Sequence, residues 1–130
     1  MIINNCKKIV GGSGEGPALV TVQPINFLAM VDPKTGRITD PKHELYEKSL
    51  KGAVLVFPYA VGSSVGAYAI YSLREYGSAP SAIVCSKADI NTASGCAIAN
   101  IPMVDLPKGA PAIKQGTIVR VEADSGIVKV

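Results

Sequence analysis

Read from its first residues, the chain sets short apolar runs between turn-forming residues. Lys8-Ile9-Val10 and Ala18 to Val22 have strand character, and Gly11-Gly12-Ser13-Gly14-Glu15-Gly16-Pro17 between them predicts a turn. Phe27 to Val31 is a third apolar run, expected to continue the series of strands, and Asp32-Pro33-Lys34-Thr35-Gly36 closes it with reversing-turn residues. Pro41 to Leu50 is polar and predicts a helical turn. Ala53 to Phe57 is a continuous apolar run, the pattern of a strand buried on both faces.

From Ser64 the period changes. Val65, Tyr68, Ala69, Ser72, Leu73 and Tyr76 recur at steps of three and four, which predicts a helix packed on one side. Gly77 suits its C-terminal cap, and Pro80 blocks continuation. Ala82 to Cys85 predicts a strand and Asn91 to Asn100 a helix of small residues. Met103-Val104, Thr117 to Val121 and Ile127 to Val130 predict further strands. There is no internal repeat or low-complexity tract. Strands first, then alternating strand and helix, predict one compact β/β/α domain over residues 1–130.

Composition narrows the function classes. Hydrophobic residues make up 48% of the 130 residues and charged ones 18%, which is apolar for a free-standing domain and predicts a surface covered by a partner. No apolar run reaches the ~18 residues of a membrane span, and MIINNCKKIV lacks the order of a signal peptide. A cytoplasmic protein is expected. The net charge of +3 is scattered, without a basic stripe or interleaved aromatics, so nucleic acid and membrane are not expected partners. Cys6, Cys85 and Cys96 form no C-x-x-C pair, and His43 is the only histidine. These residues predict buried thiols and no metal bound by this chain.

The segment with candidate chemistry is Gly62-Ser63-Ser64-Val65-Gly66, at the change from strand to helix. It matches G-x-S-x-G, the nucleophile elbow, with Ser64 as nucleophile. Against that, His43 precedes the serine, whereas such triads run serine, acid, histidine. Five residues also separate the apolar strand from Ser63 where an elbow turns sharply. A serine here can instead cap the helix. Two adjacent serines allow one to cap while the other faces an anion at the positive helix end. On the residues alone, a cap and an anion-binding or catalytic serine stand side by side. The glycine-rich segment lacks the Gly-Lys-Ser/Thr of a phosphate loop and is read as a turn. His43, beside Glu44 in a polar segment, is read as solvated.

Taken in order, the glycine-rich segment before Ala18-Leu19-Val20, then Val31-Asp32-Pro33-Lys34-Thr35-Gly36-Arg37-Ile38-Thr39-Asp40, Lys51-Gly52, Gly62-Ser63-Ser64-Val65-Gly66-Ala67-Tyr68 and Ala82-Ile83-Val84 resemble the small subunit of the aconitase X family. The resemblance runs over nearly the whole chain. It implies a swivelling β/β/α domain, similar to the mobile last domain of aconitases. The implied partner is a large subunit that carries an iron–sulfur cluster, the two forming a heterodimer inactive without either part. A stand-alone small subunit of this length is most similar to the archaeal phosphomevalonate dehydratases. That implies a hydro-lyase converting (R)-5-phosphomevalonate to trans-anhydromevalonate 5-phosphate and water, in a mevalonate route to isoprenoids.

In that family the first serine of Gly-Ser-Ser is the base, which carries onto Ser63, with the cluster as Lewis acid on the departing hydroxyl. Ser64 would then cap or orient, and Gly62 and Gly66 would let backbone and substrate approach closely. Ordinary aconitases continue the motif with Arg-Glu, but Val65-Gly66 follows here, so the arginine that binds carboxylate is missing. Two other readings stay open: a hydroxyproline dehydratase of the same group, and a non-catalytic binding or regulatory swivelling domain.

Overall fold

A computed structural model describes residues 1–130. Its elements follow as β1 (Ile2–Ile3), β2 (Lys7–Val10), β3 (Ser13–Val20), α1 (Phe27–Met30), β4 (Val54–Phe57), α2 (Gly66–Glu75), β5 (Ala82–Cys85), α3 (Ile90–Ala99), β6 (Met103–Asp105), β7 (Ile118–Glu122) and β8 (Ile127–Lys129). Strands β3, β4, β5 and β6 lie side by side, parallel and in chain order, and β2 closes the far edge antiparallel to β6. The first half of β3 leaves this sheet and pairs antiparallel with β7, followed by β8 and β1. One long strand therefore serves two sheets.

Alternation along the parallel strands explains the layers. Leu19, Leu55, Phe57, Ile83, Cys85 and Met103 pack with Ile70 and Leu73 of α2 and Cys96 and Ala99 of α3. Their neighbours Ala18, Val54, Ala82, Val84 and Val104 pack on the opposite side with Val119, Val121 and Val128 of the second sheet. Helices, parallel sheet and antiparallel sheet form the expected three-layer β/β/α arrangement. Both faces of β4 and β5 are buried, so those strands read as unbroken apolar runs. Each buried Val, Leu or Ile contributes ~1.5–3 kcal/mol relative to exposure.

Helix α2 ends as its glycine predicts. Gly77 has φ of 70°, its N–H bonds Arg74 O at 3.1 Å, and Ser78 N–H reaches Leu73 O at 2.8 Å. This pair of bonds satisfies carbonyls of the last turn.

Four sequence expectations change. The glycine-rich segment is not one turn, because strand pairing begins at Ser13 and runs through Ser13–Pro17 against β7. A Cβ at Gly14 would overlap the Ser81 carbonyl, and one at Gly16 the Gly52 carbonyl, so these glycines permit close backbone crossing. Phe27–Met30 is a four-residue helix, since the Asn26 side chain accepts from Ala29 N–H at 3.0 Å and caps it. Phe27 then meets Phe57 edge-on, with centroids 5.7 Å apart. The 41–50 segment forms turns without a helix. His43 within it is buried, not solvated: Nδ1 accepts from Leu45 N–H at 3.1 Å, so Nε2 carries the proton it donates to Pro24 O at 3.2 Å.

Candidate active site at the carboxyl ends of the parallel strands

The serine segment leaves the carboxyl end of β4 and is fixed before it reaches α2. Ile25 and Ala60 form a parallel bridge, with Ile25 N–H donating to Tyr59 O at 3.3 Å and Val61 N–H to Ile25 O at 3.0 Å. Gly62 then turns the chain at φ of 118°, a conformation that favours glycine, with the Asn26 amide packed against it. Gly66 N–H returns to Ser63 O at 3.0 Å and Ala67 N–H to Ser64 O at 3.2 Å, which starts the helical turn.

The two serines differ from the cap assignment. No side chain caps α2, and the hydroxyl of Ser64 bonds none of its N–H groups. The Oγ of Ser63 is instead 3.4 Å from Val65 N–H, a long bond at the edge of the hydrogen-bond range. The turn is closed by backbone carbonyls, so a cap is redundant here. Ser64→Ala is accordingly expected to change stability by less than ~0.5 kcal/mol, below the ~1 kcal/mol of a lost cap. A thermal melt of the isolated chain checks this.

Ser63, Gly62 and Gly66 form one wall of a small cleft whose other walls are Phe27, Ala60, Val61 and the start of α3 at Asp89, Asn91 and Thr92. Asp89 was not singled out in the sequence. Its Oδ2 accepts from Thr92 N–H at 3.0 Å and caps α3, and the Asp-x-x-Thr spacing before a run of small residues is the signal that marks it. Two ten-residue helices thus begin at this cleft. The N-terminal N–H groups and dipole of α2, which no side chain caps, favour negative charge beside Ser63, whereas the Asp89 carboxylate already occupies the end of α3. The crevice beyond the carboxyl ends of parallel strands is also where α/β sheets bind ligands.

No imidazole or carboxylate hydrogen-bonds Ser63 or Ser64 within the chain. His43 is held by Pro24 and Leu45, away from the cleft, so the acyl-transfer elbow has no base. The glycine-rich segment lies at the other end of the strands. There Gly11 to Glu15 line the most spacious depression with Arg74, Ser81 and Asn100. Arg74 donates Nε to Ala99 O at 2.7 Å and Nη2 to Asn100 O at 3.3 Å, capping the carboxyl end of α3. That depression is wider than the serine cleft, and its hydroxyl and charged groups are those of Ser13, Ser81, Glu15 and Arg74.

The donor set for a metal centre does not fit this chain. Cys85 and Cys96 belong to the helix-side core and Cys6 to the other core. Burial, helped by Asp105 and Asp89 for Cys85, and by Cys85 and Asp89 for Cys96, pushes both thiols up to about 12. No three His, Cys, Asp or Glu side chains converge as ligands. No helix is long and apolar enough to cross a membrane. Around the cleft, Leu28, Tyr59, Val61, Val65, Tyr68 and Ile90 are exposed, Tyr68 at 74% and Ile90 at 80%.

Comparison with known proteins bears on this geometry. A family model described as the aconitase X swivel domain matches residues 3–130. A phosphomevalonate dehydratase small subunit from Methanothrix thermoacetophila is 48% identical over 124 residues, covering 95% of this chain and 90% of the relative. One of the same description from Thermococcus onnurineus is 46% identical, covering 95% of each. A crystal structure of Thermococcus kodakaraensis aconitase X in its holo form superposes with a TM-score of 0.92 at 42% identity. It covers 99% of this chain and 97% of that one.

Proposed function

The chain belongs to the aconitase X swivel-domain family, and from that premise we propose that it is the small subunit of a phosphomevalonate dehydratase. The relatives of that description support the substrate. The observation that carries the reading is Ser63, a hydroxyl without a side-chain partner at the meeting of two helix N-termini. An exposed serine is a weak base in water. Here Val65 N–H, 3.4 Å away, and the positive end of α2 favour its alkoxide.

In the proposed reaction Ser63 Oγ takes a proton from the carbon beside the substrate carboxylate. The electrons of that C–H bond form the new double bond to the carbon bearing the hydroxyl. The C–O bond breaks with its electron pair on the leaving hydroxide, which takes up a solvent proton and departs as water, while Ser63 returns its proton to solvent; trans-anhydromevalonate 5-phosphate remains. Lewis-acid chemistry at the departing hydroxyl would be supplied by an iron–sulfur cluster held by the large subunit, as the family resemblance implies; the three cysteines of this chain are split between its two cores. The chain's own residues hold the proton acceptor, set it against anion-favouring N–H groups, and wall one side of the cleft. Gly62 supports the turn, and Gly66, with open space where a Cβ would stand, leaves room beside Ser63. The exposed apolar side chains around the cleft support closure against the large subunit, which excludes water from the reacting groups.

The test is reconstitution. This chain and its cognate large subunit, the latter loaded with its cluster anaerobically, are expected to elute as one heterodimer. The mixture is expected to dehydrate (R)-5-phosphomevalonate, as followed by phosphorus NMR, and neither subunit alone to do so. A folded, cluster-loaded heterodimer that leaves phosphomevalonate untouched but dehydrates hydroxyproline would move the chain to the other branch of the group.

A further inference from the structure

The serine cleft has no cationic side chain among its lining residues, so a dianionic phosphate must meet its cation elsewhere. A second depression, lined by Tyr59, Ala60, Lys87, Ala88 and Asp89, shares Ala60 and Asp89 with the serine cleft. The two therefore adjoin at Ala60 and Asp89, beyond the carboxyl ends of β4 and β5. Lys87 is the one cationic side chain lining either part.

Its position is built, not incidental. Ser86 N–H and Lys87 N–H both donate to Pro58 O, at 3.1 and 3.0 Å, which ties the Lys87 loop to the segment leading to Ser63. Nearby carboxylates are turned to backbone donors: Asp89 to Thr92 N–H at 3.0 Å and Asp105 to Ala88 N–H at 3.4 Å. The ion pairs of the chain involve Lys8, Arg120 and Lys129, so the Lys87 ammonium is uncommitted.

Resting on the dehydratase reading, we infer that Lys87 is the specificity residue that receives the substrate phosphate. The reacting carbon adjoins the carboxylate, so the carboxylate end lies with Ser63 and the helix N-termini. The phosphate is several bonds away at the other end of the substrate. A cation in the adjoining depression, apart from the one that Ser63 lines, suits that far end of the substrate, whereas one beside Ser63 would serve the carboxylate. Lysine acts on phosphate as a point charge and needs no bidentate geometry.

The experiment uses the reconstituted heterodimer with phosphomevalonate as substrate and mevalonate, which lacks the phosphate, as competitive inhibitor. Lys87→Gln is expected to raise KM for phosphomevalonate about 10- to 100-fold, the range of a lost charge-assisted bond, with kcat within about 3-fold. Lys87→Arg, which keeps the charge, is expected to recover most of the loss. The inhibition constant of mevalonate and the thermal melt are expected to stay unchanged. Unchanged KM in Lys87→Gln, or an equal loss of affinity for mevalonate, would overturn the assignment while leaving the enzyme's identity intact. A wild-type heterodimer inactive on phosphomevalonate would overturn both.

Discussion

Ser63→Ala in the assembled enzyme is expected to lower kcat by at least ~10²-fold, within the range contributed by a positioned acid or base. The melt of the isolated chain and the elution of the heterodimer are expected to match wild type. The separation follows from what the hydroxyl touches. Ser63 is exposed, and its Oγ meets only Val65 N–H at 3.4 Å, so its removal takes little from the fold. Ser64→Ala serves as the comparison, since its hydroxyl caps no helix N–H. An acyl-transfer elbow would reverse the ranking, with Ser64 indispensable. A non-catalytic swivelling domain would leave turnover unaffected by either change. Near-normal turnover in Ser63→Ala would end the proposed role of this serine, whatever the substrate.

Much of the layered fold was legible because burial on two faces writes itself into composition. Val54 to Phe57 and Ala82 to Cys85 lack polar positions, and they are the strands sandwiched between helices and second sheet. The α2 boundary at Gly77 was equally plain, because a positive φ after a periodic run selects glycine. Phe27–Met30 misled for a local reason. Four apolar residues carry no period, and one capping bond from Asn26 decides for a helix turn. Strand β1 escaped notice because two residues are too few for any pattern, and its place depends on pairing with β8 at the far end of the chain.

The candidate site was legible only in part. The pair Ser63-Ser64 stood out between glycines, but whether either hydroxyl caps the helix depended on backbone geometry that spacing does not encode. Asp89, Asn91 and Thr92 face Ser63 only because α2 and α3 cross over the same sheet face. His43 looked solvated because its flanks are polar, yet both ring nitrogens are spent on backbone groups of distant and adjacent residues. The exposed apolar residues around the cleft fit the low charge content, which reads as an unfinished surface once a partner is expected.

The glycine-rich segment was misread because strands rarely carry alternating glycines, and it supplies the largest expected effect on stability. Gly16→Ala is expected to cost ~2–4 kcal/mol by overpacking and to lower Tm by roughly 10 °C. The residue pairs with Val119 of β7, just where β3 passes from one sheet to the other. A Cβ there would overlap the Gly52 carbonyl, with Gly52 C at 3.3 Å and Ala53 C at 3.5 Å. These are backbone atoms without a flexible side chain to yield. Gly52 is itself held by its N–H to Ala79 O at 3.1 Å and by Ser81 Oγ on its carbonyl at 3.1 Å. Relief must therefore shift β3 or the 51–53 turn, and either shift disturbs the register that carries β4 and the serine segment beyond it. Gly66→Ala is the control for the melt: it meets nothing within 4 Å at the start of a helix. That change is expected to hold or raise Tm, since alanine loses less backbone entropy than glycine on folding. If Gly16→Ala melted with wild type, the crossing would be slack and the glycines of this strand would need another explanation.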